Sequence, residues 1–320
     1  LTKVVGTFVS GEILTISAVN VATTTAAPAI GAASTPLLDA TYLNLAADVY
    51  RALIAAIPGS GNVLGVIQFN NVVYGFRNNA GGTAAVLYKS TSSGWSLVAL
   101  GRELSFTSGG TTVIAEGDTI TGATSAATAV VTRVVLQSGS WAAGTAAGRI
   151  IFASQTGTFQ AENLDIGLST NVATIAGNST AITLLPGGRY EFDIANFGGS
   201  AATRRIYGCD RVNRGFEFDG TVFVPIATGM AADTPTHVKV HQNQLFFAFA
   251  GSAQHSGPGT PYIWSAVLGA GELAMGDTIT GFALQPGTQT TGALAIFTRN
   301  RTSILYGTGS STWVLVPYRA

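Results

Sequence analysis

Charge is scarce in this chain. Only 10% of its 320 residues are Asp, Glu, Lys or Arg, against about 25% in ordinary soluble proteins. The 16 basic and 16 acidic residues cancel, so free copies repel one another little and tend to associate. Tight binding to a phosphate backbone needs many Lys and Arg on one face. No such cluster stands out, which argues against strong nucleic-acid binding. The single cysteine, Cys209, excludes an internal disulfide framework. It closes the strand-like stretch Arg205-Ile206-Tyr207-Gly208-Cys209 and reads as a small buried hydrophobe. Long apolar runs are missing too. Even Leu245-Phe246-Phe247-Ala248-Phe249-Ala250 falls far short of the roughly 20 residues of a membrane-spanning helix, so no membrane span is expected. No basic start leading into an apolar stretch marks a signal peptide. The chain opens on Leu1 rather than Met, as a processed chain or a piece of a longer one would.

What fills the gap is Gly, Ala, Thr, Ser and Val. Forty Gly and ten Pro punctuate the chain throughout, as many short strands joined by turns require. The fold class this predicts is all-β. Residues 41–57 are the one candidate helix, with Tyr42, Leu45, Val49, Leu53 and Ile57 at helical spacing, Thr41 as cap and Pro58-Gly59 as stop; an outer strand is the alternative. From Gly59 onward the pattern is β. Strands are expected at Val63–Phe69, Val72–Phe76, Ala84–Tyr88 and Trp95–Leu100, with turns at Asn70-Asn71, Asn78–Gly82 and Ser90–Gly94. Four short antiparallel strands in about 40 residues match one β-propeller blade. The rhythm returns at Arg204–Cys209, Arg214–Phe218, Thr221–Ile226, His237–Val240 and Leu245–Phe249. It returns again at Gly292–Phe297, Ser303–Tyr306 and Trp313–Val316.

Residues 105–186 have another texture. Aromatics thin out, and Ala, Thr, Gly and Val dominate. Glu116 to Gly122 precedes an alternating strand, Ala129–Leu136, then Trp141, Gly148–Phe152 and Gly157–Leu164. Gly157-Thr158-Phe159 echoes Gly6-Thr7-Phe8, and Gly276–Gly281 echoes Gly117–Gly122. The expected organisation is therefore a β-propeller-like domain with an inserted small β-sandwich or barrel module: 1–104, the N-terminal segment and first part of the propeller; 105–186, the insertion; 187–320, its continuation. Without the insertion, about 240 residues remain, enough for about five blades of ~45 residues.

A search for chemistry returns little. No Gly-x-Ser-x-Gly nucleophile elbow is present. Gly59-Ser60-Gly61 opens like a dinucleotide loop, but Leu64 stands where the third Gly belongs, so a tight turn is expected. His237 and His241 have the i, i+4 spacing of a helical zinc pair. His237-Val238-Lys239-Val240-His241 alternates as a strand, however, and four strand residues span roughly 13 Å, too far to share a metal. Exposed strand faces are expected for these histidines; His255 is the third. Ser90-Thr91-Ser92-Ser93-Gly94-Trp95 resembles the turn repeated in sialidase-type propellers but lacks its Asp. A glycosidase needs a carboxylate pair. Asp193, Asp210, Glu217 and Asp219 are candidates that nothing in the sequence pairs, and solvated turn positions are expected for them. Tyr74, Tyr88, Trp95, Phe216, Phe218 and Tyr262 are candidate sugar-binding aromatics, with core packing the stronger expectation. Asn178-Ser179-Thr180 and Asn300-Arg301-Thr302 match the glycosylation pattern without a secretion signal. No residue is assigned a catalytic, cofactor-binding or metal-ligating role, and no cofactor is expected.

Several stretches resemble phage virion proteins of the tail-nozzle or tail-tube type. They are Arg51–Ile57, Pro58–Gly61, Tyr74–Asn78, Gly82–Ala85, Tyr88-Lys89 and Gly94-Trp95, then Gln244–Phe249, Gln254–Ser256, Pro261–Ser265 and Ala295–Gly307. Gly117–Ser125 is similar to small β modules of phage structural proteins. In short-tailed phages, the resemblance implies, six propeller-bearing subunits form a ring below the tail adaptor and guide and retain the genome. It implies no catalytic residue. The expectations are a virion tail location, a self-assembled ring, hexameric by that analogy, contacts with the adaptor, other tail proteins and tail fibres, and genomic DNA passing without sequence-specific contact. Two other readings stay open. One is a tail fibre, spike or decoration protein that binds host-surface glycans. The other is a propeller hydrolase.

Overall fold

The structure is a computed structural model that describes residues 9–16, 19–25, 36–285 and 292–318. Two compact units divide the chain, Leu1–Ala56 and Ile57–Ala320. The first holds a two-stranded antiparallel ribbon, Ile13–Ile16 with Val19–Thr23, and one helix, Pro36–Leu53. The helix starts earlier than Thr41 because a proline fits the first turn, where its missing N–H costs nothing. Thr41 does not cap it; its hydroxyl donates back to the Leu37 carbonyl at 2.9 Å. Tyr42, Leu45 and Val49 are exposed within this unit. Ile57 is not on the helix at all but sits over Gly75 in the second unit. Gly6-Thr7-Phe8 lie outside the described residues. No described helix is long and apolar enough to cross a membrane.

The second unit is all β apart from two short 3-10 turns. Four of its sheets are four-stranded antiparallel meanders in which consecutive strands pair in order. Blade one comprises Ser60–Phe69, Val72–Asn78, Ala85–Thr91 and Gly94–Val98. Blade two comprises Glu191–Asn196, Arg204–Cys209, Phe216–Phe218 and Phe223–Pro225. His237–His241, Gln244–Phe249, Ser252–His255 and Gly271–Ala274 form blade three. Ile279–Leu284, Leu294–Thr298, Thr302–Tyr306 and Val314–Pro317 form blade four.

Local chemistry sets these registers. A two-residue hairpin with the twist of its strands needs positive φ at both turn positions, which Asn tolerates. Asn70 and Asn71 adopt 48° and 62°, and Gln242 and Asn243 adopt 49° and 55°. Asp219 closes the third turn; its carboxylate accepts from the amides of Thr221 and Val222, both at 2.7 Å.

The blades stack through their first strands. Glu191–Asn196 lies against His237–His241, which lies against Ile279–Leu284. The amide of Tyr190, just before blade two, donates to Leu64 of blade one at 3.0 Å. A sheet covered on both faces is apolar at successive positions rather than alternate ones. Blade three has that pattern: Leu245 and Phe247 pack towards Tyr207 and Cys209 of blade two, Phe246 and Ala248 towards Leu294 and Ile296 of blade four. The series is propeller-like. Four such sheets occur among the described residues, not about five. The count from length treated the N-terminal residues as blade material, and the described ones form the ribbon and helix instead.

The fifth sheet has nine strands, from Arg102–Gly109 to Thr180–Ala181, which pair among themselves. It curls around its own core of Leu104, Phe106, Ile150, Phe152, Leu164 and Ile175. Trp141 stacks on Phe106 at 5.4 Å. The run read as one strand, Ala129–Leu136, is two, Thr128–Val130 and Arg133–Ser138. Val131 and Thr132 turn the corner between them, their amides donating to Asp118 and Ile151 at 2.8 Å.

Glu162 fastens this sheet internally. Its carboxylate accepts from the Ser125 hydroxyl at 2.6 Å, the amides of Thr124 and Ser125 at 2.8 Å, and that of Gln160 at 3.1 Å. Burial alone would raise its pKa; the hydrogen bonds overcome that and hold it at about 2. Gly122 is required beside it, because a Cβ there would lie 2.4 Å from a Glu162 oxygen. The Gly117–Ser125 phrase is thus a turn built around a carboxylate.

Candidate functional site

The densest group of ionisable side chains lies where the nine-stranded sheet meets blade two. Arg133 enters from the start of the strand Arg133–Ser138. Its guanidinium touches three carboxylates: Glu116 at 3.1 Å, Glu217 at 3.3 Å and Asp219 at 2.6 Å. Arg205 approaches Glu217 from behind at 3.7 Å. The Tyr207 hydroxyl donates to the other Glu217 oxygen at 3.1 Å. A neighbouring triad repeats the theme. Glu103 accepts from Arg149 at 2.5 Å and Arg214 at 2.8 Å, and Arg149 also donates to the Pro225 carbonyl at 2.5 Å.

Burial sets the electrostatics. Glu217 is 3% exposed, and burial pushes its pKa up against the pull of Arg133 and Arg205. Burial pulls Arg133 down, but Glu217, Tyr262, Glu116 and Asp219 outweigh it and hold the guanidinium above its ordinary value. Glu103 feels burial too, yet Arg149 and Arg214 keep it below the usual carboxylate range. Arg149 is shifted down, because burial exceeds the help from Glu103. The phenols of Tyr207 and Tyr262 are pushed up, first by burial and then by the Glu217 charge.

The sequence left the four acids as unpaired, solvated turn positions. The structure brings Glu217 and Asp219 together on one guanidinium and buries Glu217 within a strand. Asp210, 1% exposed, closes a turn by accepting from the amides of Val212 and Asn213 at 3.0 and 2.7 Å. Asp193 joins blades two and three, accepting from the Lys239 ammonium at 3.0 Å and the Val240 amide at 2.7 Å. General acid–base chemistry needs a carboxyl within reach of a substrate proton. Glu217 faces arginines and phenols of its own chain. The arrangement neutralises buried charge and fixes how two sheets meet.

A cleft of about 350 Å³ runs beside the Glu103 triad, lined by Leu184, Leu185, Asn213, Arg214, Pro225 and Asp233 among others. Its polar groups are engaged internally. Arg214 holds Glu103, Asn213 donates to Asp210 at 2.6 Å, and Asp233 accepts from the Thr228 hydroxyl at 2.7 Å.

The histidines lie in a strand, as the alternation required, but not on exposed faces. His237 and His241 are 6% and 5% exposed. They occupy the first strand of blade three, where blades two and four cover them. His237 Nδ1 is 2.7 Å from Glu191. His241 lies over Phe246 and stacks on Trp313, and burial lowers its pKa to about 4. His255 packs edge-on against Trp313 from another side, 2.9 Å from the Gln244 amide, and burial lowers it as well. Among the described residues, no group of three or more His, Cys, Asp or Glu is placed to hold a metal ion. Cys209 is fully buried, and burial raises its thiol pKa.

The candidate aromatics separate into two groups. Tyr74, Phe216 and Phe218 belong to the core, with the Tyr74 hydroxyl donating to Gly220 at 3.3 Å. Tyr88 and Trp95 are half-buried on blade one, and Tyr262 is half-buried with its hydroxyl enclosed beside Glu217. Arg133, Arg149, Glu103 and Glu162 were not singled out from the sequence. One signal was available: Arg149 sits directly before Ile150-Ile151-Phe152, and a guanidinium in such a strand requires a buried carboxylate.

Fold and seam together define an all-β, blade-built protein in which buried ion pairs fasten one sheet to another. No family model matches the chain, and no curated protein matches it. Among solved structures, it is similar to the crystal structure of Saccharomyces cerevisiae Sqt1. The identity is 8%, over 82% of this chain and 97% of that one, with a TM-score of 0.21. At that score the likeness carries no argument about fold or function.

Proposed function

We propose that this chain is a non-enzymatic structural subunit of a phage tail, of the nozzle or tail-tube type. In this reading it forms a ring around the DNA channel, with residues 105–186 as an inserted β module on the propeller. The observation that carries the assembly half of the proposal is the outer face of blade four. Val314 and Tyr318 are 58% and 62% exposed there, and contiguous apolar surface of this kind marks interaction sites. The resemblance of Tyr74–Asn78, Gln244–Phe249 and Ala295–Gly307 to tail proteins supplies the location. Zero net charge favours association. Arg102, Arg133, Arg149 and Arg214 each hold a partner within the chain, as suits a conduit that phosphates slide past. The separate core of the nine-stranded sheet supports the insertion. Sedimentation of the intact protein tests the reading. It predicts a discrete oligomer; a monodisperse monomer at high concentration contradicts it.

A further inference from the structure

Blade four is built like a sheet with neighbours on both sides, yet among the described residues no blade packs on one of them. The residues facing blade three include Leu294, Ile296 and Leu305, all with no exposure. Cross-strand pairing puts the intervening residues on the opposite face. Ala295 pairs with Ile304 and Ile304 with Val316, while Tyr306 pairs with Val314. That face is also apolar, and Ala295, Ile304, Tyr306 and Tyr318 line a shallow hollow of about 350 Å³ in it. A sheet with one solvated face would carry polar residues at these alternate positions.

Blade one shows the mirror situation. Phe76 and Leu87 face blade two and are buried. The opposite face is marked by Gly75, which pairs with both Val66 and Tyr88, and Tyr88 pairs with Leu97. Val66 and Leu97 are 52% and 60% exposed. Arg77 on this face turns its guanidinium back onto the carbonyls of Ile57 and Gly61, so its N–H groups are engaged within the chain.

Within the chain, the forward face of each of blades one, two and three meets the apolar rear face of the next. Among the described blades, the forward face of blade four remains, and so does the rear face of blade one around Val66 and Leu97, beside the spot over Gly75 that Ile57 fills. We infer that a second copy of this chain covers the first with the second: blade four of one subunit packs on blade one of the next. The contact continues the packing already made between blades three and four. Joining two different surfaces makes it head-to-tail, and a head-to-tail contact closes into a ring when its rotation permits. The inference rests on the ring reading above and names the surfaces that form the ring.

Maleimide cross-linking of the intact protein tests it, because Cys209 is fully buried and the unmodified chain supplies the blank. Val316→Cys and Leu97→Cys are each prepared alone and then mixed, with a short bismaleimide as the cross-linker. The expected result is a cross-linked dimer in the mixture and in neither variant alone, lost when Tyr306→Glu is added to the Val316→Cys chain. All three altered sites are exposed, so folding is retained, and circular dichroism checks it. Cross-linking of Val316→Cys with itself indicates two like faces in contact and overturns the head-to-tail assignment. No cross-link in a protein that sediments as a discrete oligomer overturns this contact and leaves the ring reading standing. No cross-link in a monomeric protein overturns both.

Discussion

Two of the seams that hold the second unit together work by different physics. Where the nine-stranded sheet meets blade two, arginines and carboxylates are buried in pairs. Where blade three meets blade four, Phe246, Ala253, Leu294, Ile296 and Leu305 interlock as an apolar layer. The apolar seam gains from area, and its surfaces fit any similarly shaped apolar sheet. The charged seam gains little net stability, because desolvation offsets attraction. It does specify one partner and one register, since a mismatch leaves a charge buried and unpaired. The contrast explains how a chain built of similar meanders avoids packing the wrong sheets together. It also fits the proposal that the exposed apolar faces are the ones used for assembly.

The largest effect should come from breaking the charged seam on one side. Arg133→Ala leaves the buried Glu217 only the more distant Arg205 at 3.7 Å as a cation, and removing one partner of a buried pair costs about 3–5 kcal/mol, read as a lower urea midpoint. Adding Glu217→Gln should recover part of that loss; equal or greater destabilisation in the double variant would contradict the pairing. In the apolar seam, Leu294→Ala should cost about 3 kcal/mol through lost burial and the cavity left behind. That loss should not change between low and high salt.

The histidines of the apolar seam give it a pH response. His241 is held neutral, with its pKa lowered to about 4, so below its ordinary value of 6.5 the unfolded chain takes up the proton first. Stability is fully present above about pH 6.5, falls as pH drops towards 4, and levels off below that. His255 adds in the same direction. The expected loss from His241 is on the order of 3 kcal/mol, measured as midpoints across that range; His241→Phe should flatten the slope. The smallest effect belongs to the turn inside the nine-stranded sheet. Glu162→Gln should cost about 1–2 kcal/mol from weakened charge-assisted hydrogen bonds. Its depressed pKa makes that stability present above about pH 4.5 and lost as pH falls towards 2.

The meanders were legible because their signals are local. Asn70-Asn71 and Gln242-Asn243 announce turns by their tolerance of positive φ, and the apolar runs between turns are strand-length. Strands expected at Val63–Phe69 and Val72–Phe76 lie within Ser60–Phe69 and Val72–Asn78. The charged seam was not legible. Arg133 and Asp219 are 86 positions apart and Glu103 and Arg214 are 111 apart, and no local pattern links residues at that distance. The burial of His237 and His241 was missed for a related reason. Alternation showed that they lie on a strand, but only the stacking of blades puts that strand between two sheets. Thr41 misled because a hydroxyl can return to the carbonyl four residues back as readily as it caps a helix.

The central claim is that an all-β chain with uncovered blade faces assembles into a ring. Electron microscopy of the intact purified protein tests it most directly, through the symmetry of its class averages. The account predicts discrete closed rings with a central channel. Single separated particles, or open filaments of indefinite length, would contradict it.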